Sequence, residues 1–246
     1  MARFFLPQAN IQEGRGVVHG QELTHLMKVL RLRAGDCVTV FDNTGWEHEA
    51  VIETLTSERG ELKIVESHAT GRDPSIPITL AAGLTKGEKL DWVIEKATEL
   101  GVTTVIPFLS SYTVPKLDTA KIHKRAERWR KIAVSAAKQC GRSRVPEVRS
   151  LCIFENFLSE PWPETLKLIF WENETEQSLR ELFQKCPGAN SVLLAVGPEG
   201  GFSKSEVELA NARGFQSVHM GRRILRAETA ALGALTIVQF LWGDLS

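Results

Sequence analysis

Apolar positions recur along this chain with two different periods, and the change falls near residue 72. In the first 70 residues short segments alternate. Cys37-Val-Thr-Val-Phe41 and Glu61-Leu-Lys-Ile-Val65 place an apolar side chain at every second position, as half-buried strands do. Between them Asp42-Asn-Thr-Gly45 is a turn cluster, and Trp46 to Ile52 reads as the return strand. Ahead of these, Leu23, Leu26, Met27 and Leu30 share one face of a helix predicted over Gln21 to Leu30. Arg31-Leu-Arg-Ala-Gly-Asp36 follows it, with Gly35 suited to a turn. Short strands with one small helix predict a compact β-barrel.

Gly71-Arg-Asp-Pro-Ser-Ile-Pro77 breaks both patterns and reads as a linker, so we place two domains at 1–72 and 73–246. Beyond it, strands and helices alternate. Ile78 to Ala82 is a short apolar run, and Thr85-Lys-Gly-Glu88 has the spacing of a capping box. Leu90, Val93, Ile94, Ala97 and Leu100 then line one helical face, which Gly101 can end. Further strands are predicted over Val102 to Phe108, Lys167 to Trp171, Ser191 to Val196 and Phe215 to Met220. Helices are predicted from about Thr119 to Cys140, after a second capping box at Ser203-Lys-Ser-Glu206, and over Ala227 to Trp242. Alternation at this spacing argues for an α/β domain with a parallel sheet covered on both faces.

Composition narrows the class. The 246 residues are 43% apolar and 24% charged, which is ordinary for a globular protein. Thirty Lys and Arg balance thirty Asp and Glu, so a histone-like, tail-driven nucleic-acid binder is excluded, while a local basic patch is not. Cys37, Cys140, Cys152 and Cys186 form no C-x-x-C pair and have no His at zinc-finger spacing, so no metal is expected. Met1-Ala-Arg-Phe-Phe-Leu-Pro7 carries no apolar run of signal-peptide length, and no stretch approaches the roughly 20 apolar residues of a membrane helix. A soluble cytoplasmic protein is expected, with no membrane partner.

Candidate chemistry sits where ligands of open parallel sheets bind, beyond the carboxyl ends of the strands. Gly197-Pro-Glu-Gly-Gly201 follows the Ser191–Val196 strand directly, and its glycines allow a sharp turn and close backbone approach to a ligand. Taken alone it is equally a plain strand-to-helix turn; it matches neither a P-loop nor G-x-G-x-x-G. Met220-Gly-Arg-Arg-Ile-Leu-Arg-Ala-Glu-Thr-Ala230 again joins a strand to a helix. There Glu228 and Thr229 serve equally well as helix-start residues, with the arginines solvated. Two such loops at one sheet edge point to a ligand pocket built mainly from backbone. Basic residues cluster as well: Lys121, Lys124, Arg125, Arg128, Arg130 and Lys131 around Trp129; Lys138, Arg142 and Arg144; and Lys28, Arg31 and Arg33. Segregated charge in a neutral chain suits a phosphate backbone.

Together these loops resemble the C-terminal signature of the bacterial 16S rRNA N3-methyluridine methyltransferases, which belong to the SPOUT class. Arg3-Phe-Phe-Leu6, His25-Leu-Met-Lys-Val-Leu-Arg31, Lys86-Gly-Glu-Lys-Leu90, Glu95-Lys96 with Glu99-Leu-Gly-Val102, and Gln139-Cys-Gly-Arg-Ser-Arg-Val-Pro-Glu147 are similar to that family too, in the same order. Arg222 stands where some members have Pro, and Thr24 where some have a second His. The resemblance implies a PUA-like N-terminal barrel, a C-terminal α/β domain with a deep trefoil knot, a homodimer, and S-adenosyl-L-methionine held in the knot near the dimer interface. The partner it implies is 16S rRNA of the small ribosomal subunit. By the same resemblance the cofactor pocket uses Phe170 and Trp171; Gly197, Pro198, Glu199, Gly200 and Gly201; and Met220, Gly221, Ile224 and Leu225, leading into Thr229 and Ala230.

Methyl transfer is an in-line attack by a ring nitrogen on a sulfonium methyl, so positioning alone can supply roughly 7–11 kcal/mol. Uracil N3 is nucleophilic once its proton has left. Arg226 is the candidate for stabilising the uracil anion, with Glu199 or Glu228 as proton acceptor. Arg3, His25, Arg31, Arg33, Lys86, Arg142 and Arg144 are candidates for contacting RNA. Two other readings remain at this level: a Rossmann-type nucleotide enzyme, which lacks its early G-x-G-x-x-G here, and a non-catalytic RNA-binding module. Leu232, Leu235 and Val238 of the last helix are either dimer contacts or core.

Overall fold

The computed structural model describes residues 2–113, 119–163 and 165–245; Met1 and Ser246, which bound the two expected domains, lie outside them. The chain divides into two compact units: Met1–Asp73 with Ala137–Val145, and Pro74–Ala136 with Pro146–Ser246. Residues 137–145, which the pattern assigned to the second domain, thus fold with the first unit.

The first unit carries β1 (Ala2–Phe5), β2 (Ile11–Gln12), β3 (Arg15–Val18), α1 (Gly20–Thr24), β4 (Cys37–Phe41), β5 (Trp46–Leu55) and β6 (Gly60–Ala69). Its six strands form one sheet in the order β1-β4-β5-β6-β3-β2, parallel between β1 and β4 and otherwise antiparallel. Period-two alternation sends Val38 and Val40 into a core with Phe4, Leu6, Val18, Leu23, Leu26 and Ile52. The helix predicted to Leu30 does not stay α-helical. It becomes a π-turn over His25–Val29, closed by a bond from the Leu30 amide to the His25 carbonyl. The extra residue in that turn rotates Leu30 off the apolar face, leaving it exposed.

Residues 142–145 are sewn into this unit. Asp73 accepts from the Ser143 hydroxyl (2.5 Å) and the Arg144 amide (3.0 Å), so the expected linker is tied down at that point. Asn43 Oδ1 accepts from the Val145 amide (2.6 Å), and Arg144 donates to the Thr44 carbonyl (2.7 Å).

The second unit runs β7 (Ile78–Gly83), α2 (Lys89–Glu99), β8 (Thr104–Leu109), α3 (Thr119–Cys140, shared with the first unit at its end), β9 (Glu147–Val148), β10 (Cys152–Ile153), α4 (Phe154–Ser159), β11 (Leu166–Phe170), α5 (Leu179–Lys185), β12 (Val192–Val196), α6 (Lys204–Ala212), β13 (Gln216–Val218) and α7 (Ala227–Trp242). The sheet is parallel, in the order β10-β8-β7-β12-β11-β13, with β9 beside β8. Every residue of β12 is buried, as a central parallel strand requires. Leu193 and Ala195 face a cluster built around Phe108, Phe154, Phe157, Phe202 and Phe215. The alternate residues Leu194 and Val196 belong to the other face.

Two local expectations fail for tertiary reasons. Thr85 and Glu88 form no capping box: α2 begins at Lys89, the Thr85 hydroxyl is buried without a hydrogen-bond partner among the described residues, and Glu88 accepts from Arg128 (2.6 Å). Leu235 and Val238 are fully buried within the chain, so they are core rather than dimer contacts. Ser203 and Glu206 do make their capping box.

Candidate active site

Beyond the carboxyl ends of β11, β12 and β13 lies a cavity of about 570 Å³. Phe170 and Trp171 bring the end of β11 to it, Gly197 through Gly201 the end of β12, and Met220 through Arg226 the segment after β13. Ala230 completes the wall from the first turn of α7. The two expected loops and the β11 turn therefore meet around one cavity. Thr229 is exposed and outside the lining.

Close backbone approach shapes this site. A Cβ on Gly83, at the end of β7, would stand 2.4 Å from both Cδ and N of Pro198, so only glycine lets the loop settle on the strand. Gly201 has φ +67° and an added Cβ would meet the Glu172 carboxylate, so both conformation and space require glycine there. On the β13 side, the Gly221 amide donates to His219 Nδ1 (3.0 Å), closing the turn through Met220.

The charged groups divide by their partners. Glu199 Oε1 accepts from the Lys86 amide (3.1 Å) and lies 3.3 Å from Lys89 Nζ. Burial pushes its carboxyl up, but hydrogen bonds from its own amide and the Lys86 amide, together with the Lys89 ammonium, outweigh this and hold it below the ordinary range. It is therefore a committed anion and a weak proton acceptor. Glu228 lies outside the cavity lining, with Oε2 3.5 Å from the same Lys89 ammonium, and that oxygen is buried without a hydrogen bond among the described residues. Arg222, Arg223 and Arg226 are exposed and line the cavity. Arg226 is also the N-cap residue of α7 but makes no side-chain cap bond.

Lys89 and Glu172 line the site although the sequence reading singled out neither. Lys89 belongs to the Lys86-Gly-Glu-Lys-Leu90 motif, which was the available signal. Glu172 simply follows Trp171. Among the described residues no His, Cys, Asp or Glu group could hold a metal ion, and no helix is long and apolar enough to cross a membrane.

The expected RNA-contact residues separate into two sets. Arg3 is only 14% exposed: it bonds Glu47, donates to the carbonyls of Ala137 (2.9 Å) and Arg142 (2.8 Å), and lies over the Phe41 ring. Arg142 is 4% exposed beside Asp73. Both guanidinium groups are thus employed inside the first unit rather than offered to a ligand. Arg31, Arg33, Lys86 and Arg144 are exposed, and His25 is half-buried against Phe4. In α3, Trp129 is buried and donates to Asp91 (2.8 Å), Arg128 pairs with Glu88 and Asp91, and Lys124 and Lys131 face solvent.

This arrangement has close counterparts. Residues 72–239 match the RNA methyltransferase domain family, and residues 18–65 match the RNA methyltransferase PUA domain. The ribosomal RNA small subunit methyltransferase E of Bacillus subtilis is 32% identical over 98% of this chain and 96% of its own. A ribosomal RNA small subunit methyltransferase E from Neisseria gonorrhoeae, solved bound to S-adenosyl methionine, superposes with a TM-score of 0.89 at 34% identity over all of both chains. A methyltransferase from Legionella pneumophila, solved with the cofactor SAM, gives 0.90 at 32% identity over 99% of each. With its parallel-sheet domain, its PUA-like N-terminal unit and a cavity formed where the two glycine-containing loops meet, this chain belongs to the RNA methyltransferase family.

Proposed function

We propose that this protein is an S-adenosyl-L-methionine-dependent methyltransferase that methylates N3 of one uridine, U1498 by family resemblance, in 16S rRNA of the small ribosomal subunit. The observation that carries this is the cavity at the sheet's carboxyl edge, walled by three loops and edged by three exposed arginines.

The cavity suits the cofactor. Its volume lies in the range of roughly 300–1,000 Å³ usual for small-molecule sites. Trp171 Nε1 is buried in that wall with no acceptor among the described residues, a donor suited to a heteroatom-rich ligand. The glycines of the 197–201 loop let main chain come close where a side chain would intrude. Phe170, Trp171, Gly197 to Gly201, Met220, Gly221, Ile224, Leu225 and Ala230 would hold the cofactor. When bound, S-adenosyl-L-methionine supplies an electrophilic methyl group on a sulfonium.

The chain's own residues then have two tasks. Arg226, from the cavity lining, stabilises negative charge as it grows on the uracil oxygens. Glu228 takes the N3 proton, since the Lys86 amide and the Lys89 ammonium make Glu199 the weaker proton acceptor. Arg222 and Arg223 meet RNA phosphates from the cavity lining. His25, Arg31, Arg33, Lys86 and Arg144 are the remaining RNA contacts, without Arg3 and Arg142.

A SPOUT trefoil knot and a homodimer belong to the same proposal. Supporting the knot, α7 follows edge strand β13 yet packs against β12 and β7, so the chain crosses the ends of intervening strands. Supporting the dimer, Ile237 and Phe240 of α7 are exposed apolar residues. The test is a titration with S-adenosyl-L-methionine, with NAD as control, followed by transfer of labelled methyl to small subunits lacking their native modifications. Label in the RNA is the expected result. Saturable RNA binding without affinity for the methyl donor would overturn the proposal in favour of a non-catalytic RNA-binding module.

A further inference from the structure

Next to the glycine loop stands an aromatic ring that none of the cavity chemistry above uses. Tyr112 is the only tyrosine in the chain, and it is 52% exposed. It sits in a turn at the carboxyl end of β8. Its Cβ lies 2.7 Å and its Cγ 3.5 Å from where a Cβ on Gly200 would stand, so the base of the side chain rests on the Gly200 backbone. Gly200 is itself part of the cavity wall.

This mounting is rigid. The Thr113 amide donates to the Ser110 carbonyl (3.0 Å), and the Ser110 amide to the Thr113 hydroxyl (2.8 Å), closing the turn. The Ser111 amide donates to Glu206 Oε1 (2.9 Å), a buried carboxylate that also accepts the Ser203 amide (2.8 Å) and hydroxyl (2.9 Å). One anion therefore locks the tyrosine turn to the start of α6 and to the segment that follows the glycine loop. A half-exposed aromatic held this firmly beside a ligand cavity is placed to be used.

We infer that Tyr112 is a substrate-binding residue whose ring stacks on the face of the target uracil. This rests on the methyltransferase reading of the cavity. A base that attacks through a ring nitrogen must turn its edge toward the methyl donor, which leaves its faces to be supported by the protein. Unpaired bases are commonly supported by aromatic stacking, because every base presents a π-face. Tyr112 stands outside the cavity lining, against Gly200, and Arg222 and Arg223 within that lining supply the complementary charge for the nucleotide's phosphates. The occupant is thus a single unstacked nucleotide of an RNA.

Since the chain has one tyrosine, protein labelled with 3-fluorotyrosine gives a single ¹⁹F resonance. The full chain is titrated with S-adenosylhomocysteine alone, and then with a small-subunit rRNA fragment containing the target uridine. The resonance should move on adding RNA, and only slightly with S-adenosylhomocysteine alone. In steady-state assays Tyr112→Ala should raise the KM for RNA about tenfold to a hundredfold, the scale of one lost base–aromatic stack. Its affinity for S-adenosyl-L-methionine should stay within threefold, and Tyr112→Phe should restore most of the loss.

A resonance unmoved by RNA that demonstrably binds overturns the inference, as does an unchanged KM in Tyr112→Ala. A resonance that instead follows protein concentration without RNA assigns the ring to contact with a second copy, and also overturns it. If the resonance moves with RNA but wild type transfers no methyl, the methyltransferase reading fails while the stacking contact stands.

Discussion

Glu199 and Glu228 share one lysine but not the same chemistry. Glu199 receives a main-chain amide as well as the Lys89 ammonium, so it remains charged and holds the glycine loop to the start of α2. Glu228 has a buried oxygen with no hydrogen bond among the described residues. Glu228→Gln should therefore lower kcat by about 10²- to 10⁴-fold, the range of a lost general base. Cofactor affinity, measured by calorimetry, should change less than threefold. Glu199→Gln should show the reverse pattern, with weakened cofactor binding as its first effect. Arg3 illustrates why charge alone misleads. Its side chain and that of Glu47 are largely buried together, and removing one member of a buried pair strands the other. Arg3→Met should lower unfolding stability by about 3 kcal/mol in urea titrations. RNA affinity of the folded protein should be unaffected; a loss of RNA affinity at full stability would return Arg3 to the binding surface.

At the scale of elements, local pattern succeeds where local chemistry decides. Alternation in Cys37–Phe41 and the apolar run of Ser191–Val196 both correspond to strands, and α3 and α7 span the residues their patterns predict. Ser203 and Glu206 form their capping box because both partners lie within one turn. Thr85 and Glu88 have the same spacing but fail, since Glu88 is drawn to Arg128, forty positions away in sequence. Short strands such as Arg15–Val18 have too few apolar positions to show a period, and the π-turn at His25–Val29 depends on packing. The glycine loop was legible from composition. Tyr112 was not, because it gains its place from a loop distant in sequence, and Lys89 was visible only as one position of the Lys86–Leu90 motif.

Glu206 joins two elements, and its behaviour with pH can be worked out. Burial pushes its carboxyl up, but bonds from Ser111 and Ser203 outweigh this and lower it. A carboxylate whose folded-state value is lowered contributes its stability in full above the unfolded value, near 4.5, and loses it as pH falls through the lower folded value. Glu206→Gln should thus cost about 1–3 kcal/mol at pH 7. The gap between variant and wild type should narrow only below about pH 4.5 in urea titrations. A pH-independent gap would show that shape rather than charge holds the turn.

For the whole molecule, family membership and the cavity are in keeping with the proposed activity, in which a methyl donor lies beside the sheet edge and a uridine is brought to it edge-on. The most direct test is to react the protein with labelled S-adenosyl-L-methionine and unmodified small subunits, digest the rRNA, and identify the product nucleoside by mass spectrometry. Label confined to 3-methyluridine at a single position is the predicted result. Label on another base, on ribose, or scattered over many positions would contradict the account of how this cavity selects its substrate.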